Sequence, residues 1–448
     1  MHTKHIRNAA VVLSAAIAVT LVGCSTANAG GNDADVTLTY SLWDPNQLPA
    51  YQQCADAFTE KTGIDVELQQ QGWDDYWKTI TTGIVSGTAP DVITNHVAYY
   101  PELAENNQLL DIQDYVEKDG VDLDQYTGEL ADLWVKDGKR YGLPQDWDTI
   151  ALVYNEEDVA AAGIDPAALD ELTWNPEDGG TFGQTIARLT VDKNGVHGDE
   201  PGFDKTKVAT YGWGLETGGG VVGQTQWSWT ALSTGFQYLN ENPFGTEYKL
   251  DDPRLIATLG WWQEQIEAGY VVPFEEAGQL GLEPQLLQNK AAMISDGSWR
   301  INTWADATEQ SFAFAKLPVG PEGRKTIING LAPSITAGTK HPEQAWELVK
   351  FIGSSACQDL VAATGVVFPA IPEAAEASAQ ARTDKGIDVS AFLDEALDPE
   401  GIAYYPITLN ANQINSEAQA VVDDIQQVRV DPSTALKELN ERVNALFD

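Results

Sequence analysis

Positive charge is scarce in this chain: 26 Lys+Arg stand against 67 Asp+Glu in 448 residues, a formal net charge of −41. Such a surface repels phosphate backbones and anionic headgroups, and no compact basic cluster interrupts it, which argues against nucleic acid as a partner. Histidine is scarcer still. Past the first residues only His96, His197 and His341 occur, too scattered for zinc-ligand spacing. Asp192, Asn194 and Asp199 lack the twelfth-position glutamate of an EF-hand, and a hairpin turn around Asp192-Lys193-Asn194-Gly195 explains them better. The chain also lacks a G-x-S-x-G elbow and a P-loop. Gly218 to Gly223 reads GGGVVG and so fits G-x-G-x-x-G in letters, but the preceding Tyr211-Gly212-Trp213-Gly214 makes a poor central strand. No metal and no cofactor is expected.

Cysteine is nearly absent, with three in all: Cys24, Cys54 and Cys357. The first lies at the end of an export-signal layout, in which Lys4 and Arg7 precede an uncharged stretch from Ala9 to Val22 too short for a comfortable membrane span. Leu21-Val22-Gly23-Cys24 has the form of a bacterial lipobox. On this reading residues 1–23 are a lipoprotein signal peptide, Cys24 carries the lipid, and 24–34 form a flexible polar tether. Cleavage after Ala27-Asn28-Ala29 is the alternative; the lipobox is preferred because the cysteine directly ends the apolar region. Cys54 and Cys357 remain, either bridged in an oxidising compartment or two unrelated buried thiols.

What the chain does hold is apolar and aromatic surface. Its 43% apolar content, with 14 Trp, 15 Tyr and 12 Phe, separates it from disordered acidic chains and predicts a folded, soluble protein. The length predicts at least two lobes. Val36–Tyr40 alternates as a strand, Leu48–Thr62 reads as a helix closed by Gly63, and Asp65–Gln71, Tyr76–Val85 and Pro90–Ile93 continue a β-α-β-α-β run. Alternation of this kind argues a parallel sheet with ligands gathered outside the strand carboxyl ends. Those ends carry Trp43-Asp44, Trp73-Asp74 and Asn95-His96.

Further along, Tyr141–Pro144 leads through Gln145-Asp146-Trp147-Asp148 into an apolar strand Ile150–Tyr154, an extended piece long enough to cross between lobes. A second crossing is expected at Leu317-Pro318. Helices are expected over Trp229–Leu239, Pro342–Ile352, Ile371–Arg382 and Pro432–Leu446. Ala291-Ala292-Met293-Ile294 has the length of a buried strand, Asp296-Gly297 reads as the turn that stops it, and Trp299 follows on the loop.

With these pieces in order, the chain resembles the family 1 extracellular solute-binding proteins of bacterial ABC importers, the maltose-binding-protein-like group. The matching stretches are the lipobox, Phe58–Val66, Ala89–Val92, Gly142–Pro144 with Leu152–Asn155, Ala291–Met293 with Gly297–Trp299, Ala345–Ile352 and the terminal helix around Ala435-Leu436. The resemblance implies an α/β fold of two lobes, the type II periplasmic-binding arrangement, with a cleft between lobes joined by a multi-segment hinge. It divides the chain into a first lobe of 35–145 and 319–370 and a second of 150–316 and 375–448. It sets Cys54 and Cys357 on neighbouring elements of the first lobe, which favours the disulfide. It implies a neutral oligosaccharide as ligand, permease subunits and a separate ATPase as partners, a monomer, and binding without bond cleavage. An exported glycoside hydrolase and a surface adhesin that transports nothing are the alternatives.

Sugar rings have hydroxyl edges and flatter C–H faces, so a sugar site needs aromatic rings for the faces and carboxylates or amides for the edges. The resemblance gives Trp299 the role of a stacking ring, with Asp296 on the same loop. Other candidates are Trp43 with Asp44, Asn95, His96 and Tyr99, Trp147 with Asp148, and Tyr404 with Tyr405. Trp227 and Trp229 bracket a helix start, and only one of them is expected to touch ligand because residues two apart do not share a helix face. Trp261 and Trp262 read as core.

Overall fold

The computed structural model describes residues 36–218 and 220–447, so the export segment, Cys24 and the tether lie outside the described residues. In chain order the strands are β1 Thr37–Leu42, β2 Asp65–Gln70, β3 Val92–His96, the short pair β4 Val135–Lys136 and β5 Lys139–Arg140, β6 Asp146–Asp148 and β7 Ile150–Asn155. There follow β8 Val191–Asp192, β9 Val208–Trp213, β10 Ala291–Gly297, β11 Phe312–Ala315, β12 Thr326–Ile335, β13 Phe368–Pro369 and β14 Ile402–Tyr404. They form two main sheets. One runs β13-β6-β12-β3-β1-β2 with β14 paired to β12, and the other runs β11-β7-β10-β9-β8.

The first sheet begins as the sequence pattern requires. Helix Leu48–Thr62 carries a proline in its first turn and ends on Gly63, whose φ of 77° lets its amide reach back to the Thr59 carbonyl. This returns the chain so that β1 pairs in parallel with both β2 and β3. The carboxyl ends of all three strands therefore share one edge. Cys54 on that helix is disulfide-bonded to Cys357 on helix Ser355–Ala362, with Cα atoms 5.1 Å apart.

The chain passes between sheets at one residue. Asp148 ends β6 in the first sheet and Ile150 opens β7 in the second, which leaves the buried Thr149 as the joint. Its amide donates to the Ser298 hydroxyl oxygen at 3.3 Å, its carbonyl accepts the Ser298 amide at 2.9 Å, and its own hydroxyl donates to the Phe392 carbonyl at 3.1 Å. Each sheet has its own apolar cluster. Tyr40, Trp134 and Trp346 belong to the first, and Phe182, Trp213, Trp229, Trp261 and Trp262 to the second. Ala375, Val389, Phe392 and Ala396, within the stretch assigned to the second lobe, bury in the first cluster.

Two local expectations need correction. Asp296-Gly297 does not turn; both residues continue β10, opposite Ala151 and Ile150 of β7, because the antiparallel ladder supplies partners the local sequence does not reveal. The helix expected to reach Leu239 covers only Ser228–Leu232. Thr230, Ser233 and Thr234 bond their hydroxyls back to the carbonyls of Trp227, Thr230 and Ala231, and Gly235 turns the chain at a φ of 81°. The hairpin at Asp192 forms, its carboxylate accepting the amides of Asn194 and Val196 at 2.7 and 3.0 Å.

Candidate functional site

The shared carboxyl edge of β1, β2 and β3 is crowned by aromatic rings. Trp43 follows β1, Trp73 opens the helix after β2, and His96 ends β3. Trp43 and Trp73 meet edge to face at 4.9 Å, Trp73 lies 5.7 Å from His96 and 5.6 Å from Tyr99, and Trp77 stacks on Tyr99 at 3.8 Å. Trp73 keeps 39% of its surface exposed, the largest aromatic exposure among the described residues, while Trp43 and Tyr99 are half-buried. Tyr405 arrives from the segment after β14 and sets its ring 5.2 Å from His96. Burial alone holds the His96 imidazole at about 3, so it is neutral across the physiological range.

Beside this crest stand carboxylates whose charge the surroundings resist. Asp44 is raised by desolvation, partly offset by hydrogen bonds from Asn46 and Gln47 and by the more distant charge of Arg300. Asp146 and Asp148 are both raised, each by desolvation first; Asp146 accepts the Tyr51 hydroxyl at 3.0 Å and Asp148 the Ser298 hydroxyl at 3.1 Å. From the second sheet, Asp296 is fully buried, receives the Trp304 indole N–H at 2.8 Å, and pairs with Arg300 Nε at 3.2 Å. Glu216 is pushed up to about 7 by burial and feels both Asp296 and Arg300.

Arg300 itself pairs with Asp296 and Glu283, both on its own side, and acts on Asp44 only as a more distant charge. The halves touch directly elsewhere. Asn412 Nδ2 donates to Glu102 Oε2 at 3.2 Å, and Phe244 lies 6.3 Å from Tyr100. The first half thus offers a part-exposed aromatic crest, and the second offers the part-exposed guanidinium of Arg300 over the buried Asp296. Among the described residues no group of three or more His, Cys, Asp or Glu is set to hold a metal ion.

Several expected site residues lie elsewhere. Asn95 is fully buried and donates to the Ser334 hydroxyl at 3.2 Å, so its amide serves the first lobe's interior. Trp147 is 1% exposed and stacks on Phe368 at 4.7 Å, because the β6-β13 pairing turns it into the core. Both members of the Trp227 and Trp229 pair are buried. Trp229 donates its indole N–H to Ser295 at 3.2 Å within a cluster of Phe182, Trp213 and Trp262, whereas Trp227 borders an internal cavity. Trp299 is half-buried and folds over Gly297, where an added Cβ would sit 2.0 Å from its ring. Tyr404 is half-buried, its hydroxyl accepting the Glu129 amide at 3.0 Å. Residues not singled out before are Trp77, Glu216 and Arg300. Trp77 lies one helical turn after Trp73, a spacing that places both on one face and was readable in advance.

Two packed α/β lobes, each on its own sheet and joined through Thr149, define a receptor-like class of binding protein. The comparisons agree: residues 53–388 match the family model described as bacterial extracellular solute-binding protein, and the chain belongs to that family. The arabinooligosaccharide-binding protein of Bacillus subtilis is 22% identical over 360 residues, covering 77% of this chain and 75% of the relative. The ABC substrate-binding protein Lmo0181 from Listeria monocytogenes, solved in complex with cycloalternan, superposes with a TM-score of 0.77 at 19% identity, covering 92% of this chain and 99% of that one. UspC of M. tuberculosis matches with a TM-score of 0.73 at 25% identity, over 92% of this chain and 100% of that one. The fold is the type II arrangement of periplasmic sugar-binding proteins.

Proposed function

We propose that this protein is the substrate-binding component of an ABC importer, capturing an oligosaccharide between its lobes and handing it to a membrane permease powered by a separate ATPase. The observation that carries this reading is the aromatic crest around Trp43, Trp73 and Tyr99, part-exposed at the parallel strand ends. Indole faces cover the C–H faces of a sugar, and Asp44 with Arg300 satisfies hydroxyl edges. Trp299 is the second-lobe ring in this scheme. Tyr405 joins the crest, and Tyr404 serves as its support.

Closure proceeds by bending at Thr149 and at the return between β11 and β12, bringing the lobe built on β1, β2 and β3 against the lobe built on β7, β9 and β10. The closed lobes bury both sugar faces and present a shape the permease can distinguish from the open form. A diacylglycerol thioether on Cys24 holds the monomeric receptor at the outer membrane face, raising its concentration beside the permease. The ligand's bonds are left intact.

The test is calorimetry and thermal shift across purified oligosaccharides, followed by chromatography of the mixtures. Stoichiometric uptake without products is the expected result. Products accumulating at catalytic rates would make the protein a hydrolase, and unchanged sugar import after deletion of the gene would make it an adhesin.

A further inference from the structure

A loop of the second lobe reaches over to the first. Leu239 and Tyr248 bury in the second apolar cluster, yet Phe244 between them packs its ring against the first cluster. There the ring stands edge to face with the buried Tyr100 at 6.3 Å, and the Lys136 ammonium lies 5.9 Å from its centre. Lys136 is itself held, by Glu105 at 2.6 Å and Asp137 at 2.7 Å. The loop backbone is equally fixed. The Phe244 amide donates to the Ile407 carbonyl at 2.6 Å, and the Thr408 hydroxyl donates to the Gly245 carbonyl at 2.8 Å. Asn242 donates to the carbonyls of Tyr404 and Tyr405 and accepts the Ile407 amide at 2.9 Å. Phe244 itself takes a φ of 64°, a left-handed conformation that strains a bulky residue. A glycine would close this loop at no steric cost, so the ring, not the turn, accounts for a phenylalanine here.

Helix Tyr100–Glu105 is gripped at a second point. Asn412, on the second-lobe helix Ala411–Gln426, donates to Glu102 Oε2 at 3.2 Å. The gripped helix has only six residues and begins directly after Tyr99, whose ring stacks on Trp77 in the crest. Crest and grip therefore share one short rigid element. We propose that loop 240–246 is a latch, in which Phe244, seconded by Asn412, clasps helix Tyr100–Glu105 and holds the lobes together before any ligand arrives. Ligand then enters only while the latch is released, so opening of the latch, rather than encounter, limits the rate of entry.

The test is small-angle X-ray scattering of the whole chain with no ligand added, beside circular dichroism to establish folding. Phe244→Gly removes the ring and suits the positive φ, so the loop keeps its path. The latched-to-released ratio should fall about tenfold, the upper range for one aromatic pair, and the radius of gyration should rise above that of wild type. Asn412→Asp sets a like charge against Glu102 and should widen the molecule as well. Adding Glu102→Gln should restore wild-type dimensions, a rescue that a general loss of stability would not give. Folded Phe244→Gly with the wild-type radius overturns the latch. Should that variant fail to fold, Asn412→Asp decides instead, and a wild-type radius there overturns the latch equally. No ligand enters these measurements, so their outcome is independent of the sugar reading.

Discussion

Tryptophan meets opposite fates at the strand ends of the first lobe and in the core of the second. In the first, Trp43 and Trp73 stand part-exposed at the ends of parallel strands, whereas in the second Trp213, Trp229, Trp261 and Trp262 interlock in a buried cluster. The residue is the same; the position on the sheet differs. Strand ends in a parallel sheet project side chains past the last hydrogen bond, while the second lobe turns these indoles inward and keeps Asp296 buried beneath the part-exposed Arg300. One lobe therefore offers ring faces and the other a polar edge, the division a sugar ring itself presents.

Substitutions can break that contrast, beginning with the largest effect. Trp229→Ala should destabilise the protein by about 3–5 kcal/mol, since it empties a fully buried site and removes the indole donor to the Ser295 hydroxyl. Denaturant titration reads this directly, and a loss near zero would mean the second-lobe cluster is not a core. Replacing Cys54 and Cys357 together by serine should cost about 2–5 kcal/mol, the first lobe unfolding at lower denaturant than the unaltered chain.

The crest should behave the other way. Trp73→Ala should leave the denaturation midpoint nearly unchanged, because the ring is part-exposed, yet weaken sugar binding about tenfold, roughly the 1.4 kcal/mol of one good stacking contact. Trp299→Ala should lower affinity by less, because that ring also packs over Gly297. Unchanged affinity by calorimetry would remove Trp299 from the site.

The smallest effect is a pH slope that sharpens the contrast. Glu216 is held at about 7 and Glu395 at about 8 in the folded chain, both by burial, against an ordinary 4.5. A carboxyl raised in the folded state keeps its proton there longer than in the unfolded chain, so its contribution is fully present below about pH 4.5 and is lost as pH rises through 7 to 8. The melting temperature should therefore fall by several degrees between pH 5 and pH 8.5, flanking those values. Glu216→Gln should flatten the slope, and a steeper slope in that variant would contradict the assignment.

Much of the first lobe was legible from local pattern. Helix Leu48–Thr62 forms with the bounds the sequence announces, as does Pro342–Ile352, because capping, proline and periodicity act within a few residues. The candidate site was legible only in part. Trp43, Asp44, His96 and Tyr99 gather where parallel strands end, but Trp147, expected among them, faces Phe368 across a strand pairing formed by residues more than two hundred positions apart. Local sequence also suggested a turn at Asp296-Gly297, and the ladder with β7 overruled it.

By itself the sequence determined the acidic, aromatic-rich character of the chain, its alternation of strand and helix, and so the wall that carries rings, since these depend on composition and on spacing between neighbours. Only the tertiary structure decided which indoles stay part-exposed and which fill a core, and it alone brought Gln226 to Gln426 and Asn412 to Glu102. Those outcomes turn on which side of a strand meets another strand, a choice made by long-range pairing that no short window of residues contains.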